Sequence, residues 1–292
     1  MSLKSYTFKE GEFTVTDEMK TDFGQDGFVL VKNMFSNEEI KHIEKALVTG
    51  SFADYTLGIP DGDGREAHMI LWNHPGVDVT GMVGRCEKIV DTCEQLIGGE
   101  VYHYHTKLMK KPAKIGGKHV WHQDYGYWYQ NGCLFPNMLT VFIAVDKCSK
   151  ENSCLQIMKG SNRCGRIEHL KVGGQVGADL ERVEALSEAC PLQYVEMEPG
   201  DALFFHCNLL HCSGANTSGL RRWAFLCAYN RADNNPVKEH HHPQYTPLKK
   251  VPNSAILECK DFTTMDGKWF LDPNVEKDIT VESRVLSREE QL

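Results

Sequence analysis

The chain reads Trp121-His122-Gln123-Asp124-Tyr125-Gly126-Tyr127-Trp128 near its middle, and short β-rich runs flank this segment on both sides. Gly, Pro and Asn separate the runs, which cover residues 101–109, 139–145, 155–158, 194–197, 202–205 and 223–229. Short strands at such intervals are typical of a β-sandwich or barrel. We therefore expect a β core over about residues 101–235.

The residues before this core have a sequence pattern typical of helices and loops. Ser36 precedes two glutamates, a pattern that predicts a serine N-cap and a helix over about 37–47, after a short apolar β-run at 27–31. A second helical pattern covers 79–97, and residues 50–75 are rich in Gly, Asp and Pro, which predicts a long loop.

Nothing in the sequence divides the chain into separate units, so we expect a single domain over residues 1–292. Its parts are a helical N-terminal part over about 1–100, the β core, and a C-terminal extension over 236–292. A helix from Asp179, between two β-runs, is expected to lie outside the sheets.

The charge balance argues against two classes of partner. The chain has 32 Lys and Arg against 40 Asp and Glu, a formal net charge of −8, so it lacks a broad basic field for phosphate backbones or anionic lipid. No apolar run approaches the ~20 residues that span a bilayer, and residues 1–20 lack a secretory signal. We expect a cytoplasmic protein with eleven reduced cysteines, a small-molecule substrate, and no nucleic-acid or membrane partner.

Two residues of the central segment suit a metal ion. Side chains alternate along an extended strand, so His122 and Asp124 face the same side. The candidate third ligand is His211, 87 residues beyond Asp124, and we prefer it to His206 because Ser213 and Arg222 follow it. Two histidines and one carboxylate leave one face of a metal open, as in non-haem Fe(II) oxygenases, although the same set also suits catalytic zinc.

Arg222 is a candidate anion-binding residue. If residues 220–226 form a strand, Arg222 shares a face with Ala224 and Leu226, while Arg221 faces the other side. A buried guanidinium is costly without a partner, and a dicarboxylate would bind it through two hydrogen bonds. The hydroxyl of Ser213 could contact the same carboxylate.

Together these residues resemble the phytanoyl-CoA dioxygenase-like Fe(II)/2-oxoglutarate oxygenases. The resemblance begins at Phe23-Gly24-Gln25-Asp26-Gly27-Phe28 and includes the His-x-Asp segment, Asn152-Ser153-Cys154-Leu155, Pro199-Gly200-Asp201, His211-Cys212-Ser213-Gly214 and Arg222. Lys111-Pro112 and Gly116-Gly117 resemble the ectoine hydroxylase and L-proline trans-4-hydroxylase-like branch. The chain departs from the family at Lys159-Gly160-Ser161-Asn162, where relatives usually have Pro-Gly-Ser-His.

The resemblance implies a fold, a set of cofactors and a site. The fold is mainly β with flanking helices, built on a double-stranded β-helix, or cupin-like jelly roll. The metal is Fe(II), with His122, Asp124 and His211 as its ligands, and the cosubstrates are 2-oxoglutarate and O2. For 2-oxoglutarate the resemblance implies Arg222 and Ser213 at the distal carboxylate, with Phe142, Met109 and Lys107 also assigned to its site.

The expected activity is hydroxylation of a C–H bond in a small amino or imino acid, such as proline or a derivative. The predicted substrate pocket combines an aromatic wall with one positive charge and consists of His105, Lys107, Tyr125, Tyr127 and Trp128. His103 shares the predicted face of that strand and is equally compatible with a solvated position.

Three other functions stay open. An acyl-CoA hydroxylase of the phytanoyl-CoA type is disfavoured because Glu290-Gln291-Leu292 is not the usual peroxisomal tripeptide. A redox-silent metal hydrolase or a non-catalytic binding protein could use the same fold.

The other histidines carry no motif. We expect His119 and His169 at the surface, His206 in the core or beside the site, and His240-His241-His242 in a solvated turn before Pro243.

Overall fold

The structure is a computed structural model that describes residues 3–49, 51–272 and 284–291. Its strands are β1 (Tyr6–Thr7), β2 (Phe28–Lys32), β3 (Leu57–Pro60), β4 (Glu66–Asn73), β5 (Val101–Lys111), β6 (His119–His122), β7 (Met138–Ala144), β8 (Leu155–Met158), β9 (His169–Val172), β10 (Gln175–Ala178), β11 (Leu192–Val195), β12 (Ala202–His206), β13 (His211–Ser213), β14 (Arg222–Arg231), β15 (Trp269–Phe270) and β16 (Arg284–Val285). Its α-helices are α1 (Asp17–Asp26), α2 (Asn37–Val48), α3 (Val79–Val83), α4 (Glu87–Ile97), α5 (Asp124–Gln130), α6 (Leu180–Ala189) and α7 (Ala255–Glu258).

Two facing sheets form the centre of the fold. The larger has the order β1-β2-β12-β7-β14-β5-β4-β3-β16, with β15 paired to β4, and the smaller has the order β11-β8-β13-β6. Core strands alternate between the sheets, with β5, β7, β12 and β14 in the larger sheet and β6, β8, β11 and β13 in the smaller. The exception is the step from β8 to β11, which pair with each other in the smaller sheet. This is a double-stranded β-helix, so the predicted mainly β jelly roll is confirmed.

Side-chain alternation along the strands explains why the two sheets and the helices pack as they do. On β7, Phe142 and Ala144 face the smaller sheet and pack with residues such as Leu155. Val141 and Ile143 face the opposite way, into a cluster with apolar side chains of the helices. The larger sheet is therefore buried on both faces, and α1 to α4 cover its outer face.

Two predicted helix ends, the start of α2 and the end of α4, are confirmed, and each has a capping residue. Ser36 and Glu39 form a reciprocal capping box at the start of α2, and Gly98 ends α4 with φ +72°. The predicted single helix over 79–97 is wrong, because the chain turns at 84–86 between α3 and α4. The carbonyl of Gly84 there accepts a hydrogen bond from the buried Tyr229 hydroxyl at 2.8 Å, which anchors the turn to β14.

The predicted loop over 50–75 is also wrong, because most of it is the β3–β4 hairpin. The Gly- and Asp-rich residues form only its turn, where the Asp61 carboxylate accepts hydrogen bonds from the backbone N–H groups of Asp63 and Arg65. β4 places Met69 and Leu71 toward the smaller sheet's side and Ile70 and Trp72 toward the helices. The N-terminal part therefore adds strands to the larger sheet as well as helices.

Two later segments complete the walls around the core. The β9–β10 hairpin lies beside β6, where the Gln175 side chain accepts a hydrogen bond from the Val120 N–H at 3.1 Å. The extension after residue 235 contributes α7 and adds β15 and β16 to the larger sheet, while its residues 273–283 and 292 lie outside the described residues. Within the described part of the chain, no helix combines the length and apolar character needed to cross a bilayer.

Candidate active site

A cavity of about 210 Å³ lies between the two sheets. The smaller sheet contributes His122 and His211 to its wall, and the larger sheet contributes Phe142 and Arg222. This volume is below the roughly 300–1,000 Å³ that is usual for ligand pockets. Most of the side chains assigned from the sequence meet here, although they come from segments far apart in the chain.

His122, Asp124 and His211 converge at one point of the cavity wall. Strand register brings the histidines together, because His122 on β6 and His211 on β13 are directly paired residues. Their ring centroids are 4.1 Å apart. Gln123 keeps an extended conformation, so Asp124, the first residue of α5, faces the same side as His122. One ligand atom from each of the three residues lies within 4.8 Å of the other two.

The tautomers of both histidines leave a metal-binding nitrogen available. His122 Nδ1 lies 2.8 Å from the Val120 carbonyl, and His211 Nδ1 lies 2.8 Å from the Leu209 carbonyl. A carbonyl only accepts, so each Nδ1 carries the proton and each Nε2 keeps its lone pair. Burial lowers the pKa of both imidazoles below the usual value, which keeps them neutral. This chemistry fits a divalent metal.

Asp124 supplies the negative charge of the group. Burial alone would raise its pKa, but the Lys107 cation and the Thr140 hydroxyl hold the pKa of this carboxyl well below its usual range. Thr140 donates to Oδ2 at 2.6 Å, and the Lys107 ammonium lies 3.6 Å from Oδ1. The carboxylate is thus ionised and held in place before any ligand binds.

Arg222 enters the cavity from β14 as a buried cation. The residue is 2% exposed, its Nε has no hydrogen-bond partner among the described residues, and its Cζ lies 5.9 Å from the Phe142 ring centroid. As the alternation predicted, Ala224 and Leu226 share its face, whereas Arg221 lies on the outer face and pairs with Asp146. No ion pair to this guanidinium is found among the described residues, and because an unpaired buried charge is costly, its position in the cavity favours an anionic ligand.

Lys111 supports the site in a way that its Lys-Pro dipeptide does not predict. Its ammonium donates to the Ser213 hydroxyl and the Gly117 carbonyl, each at 3.0 Å, and also to the Gly214 carbonyl. Burial and the neighbouring Arg222 lower the pKa of Lys111 well below its usual value. Lys111 therefore holds Ser213 beside Arg222.

The segment that departs from the family, residues 159–162, supports the metal-binding wall. The Ser161 hydroxyl accepts a hydrogen bond from the N–H of Leu210, next to His211, at 2.8 Å. Asn162 donates to the Gly24 carbonyl at 2.9 Å and Lys159 pairs with Asp26, so the segment also ties α1 to the core.

The substrate side of the cavity is built on α5, and its helical period sorts the predicted aromatic residues. Asp124, Tyr127, Trp128 and Asn131 share one helical face and line the cavity, as do His105, Lys107 and Met109 of β5. Tyr125 was predicted to line the pocket, and this is wrong. Tyr125 directly follows Asp124, so it lies on another face of α5. Its hydroxyl donates to the Cys133 carbonyl.

His103 does not share the face of His105. The pairing of β5 with β14 shifts register between Ala228 and Tyr229, and an irregularity of this kind reverses the side-chain alternation. His103 therefore packs against Tyr229 on the outer face, with its Nε2 2.7 Å from the Thr106 hydroxyl.

The prediction of surface positions for the remaining histidines is wrong for four of them. His119, His169, His241 and His242 all line the cavity. His169 Nε2 accepts the N–H of Gln123, between two of the converging residues, at 3.0 Å. His206 lies away from the cavity, where its Nδ1 accepts the N–H of Asn208. The sequence alone does not distinguish the cavity-lining histidines from the others, because the burial of each ring depends on which segment of the chain covers it.

Comparison with known proteins identifies the family of this chain. Residues 23–224 match the family described as phytanoyl-CoA dioxygenase (PhyH). The chain is 28% identical to the L-proline trans-4-hydroxylase of Streptomyces griseoviridis over 248 residues, 79% of this chain and 91% of that protein. It is 24% identical to the ectoine dioxygenase of Bordetella parapertussis over 251 residues, 79% and 82% of the two chains. A probable phytanoyl-CoA dioxygenase of Caenorhabditis elegans is 31% identical over 211 residues, 69% and 65% of the two chains.

The fold has close relatives among solved structures. The crystal structure of EctD from S. alaskensis with 2-oxoglutarate and 5-hydroxyectoine matches with a TM-score of 0.70 at 20% identity, over 84% of this chain and 91% of that chain. The same protein with bound Fe matches with a TM-score of 0.69 at 21% identity, over 85% and 92%. The family match runs from α1 to β14 and confirms the resemblance found in the sequence: this chain belongs to the phytanoyl-CoA dioxygenase family.

Proposed function

We propose that this protein is an Fe(II)- and 2-oxoglutarate-dependent dioxygenase that hydroxylates a C–H bond of a small amino or imino acid, such as proline or a derivative. One observation carries the proposal: His122, Asp124 and His211 converge in a cavity that the guanidinium of Arg222, unpaired within the described part of the chain, enters from the opposite sheet. Family membership and the names of the relatives support this reaction class.

The three converging residues would hold the metal. His122 and His211 would bind it through Nε2, and Asp124 would add one negative charge. Fe(II) held in this way would supply the activation of O2 that protein side chains cannot provide. Thr140 and the carbonyls of Val120 and Leu209 orient the ligands before binding, so little reorganisation is needed.

Arg222 and Ser213 would bind the distal carboxylate of 2-oxoglutarate. The carboxylate would supply the counter-charge that Arg222 does not find among the described residues, and Ser213 is already held by Lys111. Phe142 and Met109 line the same cavity and would exclude water from the bound cosubstrate.

Lys107 and the aromatic wall would select the substrate. The Lys107 ammonium lies beside Asp124 and lines the cavity, where it can attract a substrate carboxylate. Tyr127 and Trp128 offer ring faces that suit a cyclic or cationic small molecule. Tyr127 is held in place by its hydroxyl, which donates to the Val176 carbonyl at 2.5 Å.

A cytoplasmic location is part of the proposal. All eleven cysteines are free thiols, and eight of them are buried, as expected for a protein of a reducing compartment.

The decisive experiment is a screen for substrate-dependent succinate release by protein loaded anaerobically with Fe(II) and then given 2-oxoglutarate and air. We expect free amino or imino acids to stimulate release, and His122→Ala and Asp124→Ala to abolish both metal retention and release. Arg221→Met, at the outward-facing residue directly before β14, is the control and should retain both. Absence of 2-oxoglutarate binding by the metal-loaded protein would overturn the proposal and favour a redox-silent hydrolase or a binding protein.

Hydroxylation of an acyl-CoA is the second candidate, favoured by the 31% identity to the probable phytanoyl-CoA dioxygenase of Caenorhabditis elegans. Acyl-CoAs and betaines therefore belong in the same screen. Stimulation by acyl-CoAs alone would establish this second activity in place of the first.

A further inference from the structure

Two buried imidazoles, those of His105 and His242, lie side by side on the substrate side of the cavity. Their ring centroids are 4.7 Å apart, and the two residues are 2% and 6% exposed. His105 belongs to β5, whereas His242 lies after residue 224, where the family match ends. The segment after β14 therefore adds a polar group to the cavity that the matched part of the chain does not supply.

The contacts of Asn73 determine which nitrogen of His242 carries the proton. The Asn73 amide nitrogen donates to the His241 carbonyl, so the amide oxygen of Asn73 is the atom that lies 2.9 Å from His242 Nδ1. That oxygen can only accept, so Nδ1 is the donor. The other nitrogen, Nε2, then carries a lone pair, and among the described residues nothing hydrogen-bonds to it.

His105 has unused hydrogen-bonding capacity as well. Its Nδ1 is buried without a partner among the described residues, although the side chain lines the cavity. Buried polar groups are nearly always paired, and His105 is a cavity-lining imidazole whose hydrogen-bonding capacity the described residues do not use. Burial and the nearby Lys107 lower the pKa of His105, so the ring is neutral at pH 7 and can accept a hydrogen bond.

We infer that His242 and His105 accept hydrogen bonds from the N–H groups of the substrate's primary or secondary ammonium centre, so that the substrate is an amino or imino acid with a free N–H and not a betaine. This inference rests on the proposed function and specifies its substrate class.

The spacing along β5 fits such a zwitterion. His105 and Lys107 are two residues apart on one face, roughly 6–7 Å along the strand. A small amino acid can place its carboxylate near the Lys107 cation and its N–H groups near the imidazoles. A quaternary ammonium would bring the positive charge without a donor and would leave both imidazoles unpaired.

The test compares free amino and imino acids, including L-proline and pipecolate, with their fully N-methylated derivatives. Binding to the Fe(II)- and 2-oxoglutarate-loaded protein is measured by calorimetry without oxygen, and turnover by succinate release. For the best free acid, we expect the N-methylated derivative to bind at least 10-fold more weakly to the natural protein. This comparison needs no variant and so does not depend on a variant's folding.

Variants then assign the effect to His242. We expect His242→Phe, which keeps a ring against Tyr104, to raise KM for the free acid at least 10-fold, with kcat and 2-oxoglutarate affinity within about twofold. It should also reduce the discrimination against the N-methylated derivative. His242→Gln, which retains an acceptor, should recover part of the loss, and the matched control His240→Phe should behave like the natural protein.

Two results would overturn the inference while leaving the proposed function intact. One is equal binding of free and N-methylated acids, and the other is an unchanged KM in a folded His242→Phe protein. Loss of 2-oxoglutarate binding or of all substrate-dependent succinate release would instead contradict the proposed function itself, and the inference with it.

Discussion

Lys111 on β5 and Arg222 on β14 are directly paired residues of the larger sheet, so two buried cations lie side by side on one face. Their surroundings differ. The Lys111 ammonium donates to Ser213 and to the carbonyls of Gly117 and Gly214, whereas Arg222 Nε has no partner in the part of the chain that the structure describes. Lys111 is satisfied within the protein, and Arg222 is available for an anionic ligand.

Arg222→Met should therefore separate stability from cosubstrate binding. We expect the unliganded variant to be as stable as the natural protein or more stable by up to about 3 kcal/mol, because a buried unpaired charge is removed. Its affinity for 2-oxoglutarate should fall at least 100-fold, since the charge-assisted hydrogen bonds are lost. Urea unfolding and calorimetry measure the two effects. A variant that is strongly destabilised would show that Arg222 is instead a structural residue.

Lys111→Met should destabilise the protein, in contrast to Arg222→Met. It leaves two carbonyls and the Ser213 hydroxyl without their buried donor, so we expect the free energy of unfolding to fall by about 2–4 kcal/mol. The control is Lys110→Met, since the Lys110 side chain faces the other way and donates to Gln291. Equal stability of the two variants, measured by urea unfolding, would contradict this assignment.

His103→Gln should flatten the dependence of stability on pH. Burial lowers the pKa of His103 to about 3, whereas an unfolded imidazole titrates near 6.5. Between these values the unfolded state binds one more proton, so this residue's contribution to stability is lost as pH falls, by about 1.4 kcal/mol per pH unit.

Urea unfolding of both proteins at several pH values between 7 and 4.5 measures this difference. We expect the natural protein to lose stability faster on acidification than the variant. Parallel curves would mean that His103 is protonated in the folded protein.

Gly126→Ala should disturb the site through the His169 ring, which lies against α5. A Cβ at Gly126 would collide with the His169 ring, which packs against Tyr127 and accepts the Gln123 N–H. We expect a loss of about 1–3 kcal/mol of stability from this overpacking, together with weaker metal retention. Gly24→Ala in α1 is the matched control, because a Cβ there meets no atom within 4 Å and alanine favours helix. Thermal unfolding and metal analysis should rank the control at or above the natural protein.

Much of the fold and of the metal-binding group could be predicted because the signals are local. A two-residue period places His122 with Asp124 and places Arg222 opposite Arg221, and the Ser36 capping box marks the start of α2. Each follows from the stereochemistry of a single strand or helix turn. The β3–β4 hairpin was missed because its Gly- and Asp-rich turn obscured the apolar strands on either side.

The rest of the site depends on contacts between distant segments. The shift in register between β5 and β14 turns His103 away from the cavity, α5 turns Tyr125 away, and the segment after β14 brings in His242. Lys111 and Arg222 are both cations in the sequence, yet one is fully hydrogen-bonded and the other is not. Short-range spacing determines which residues can share a face, whereas burial and hydrogen-bond satisfaction are properties of the packed chain, because they depend on which distant segment covers each side chain.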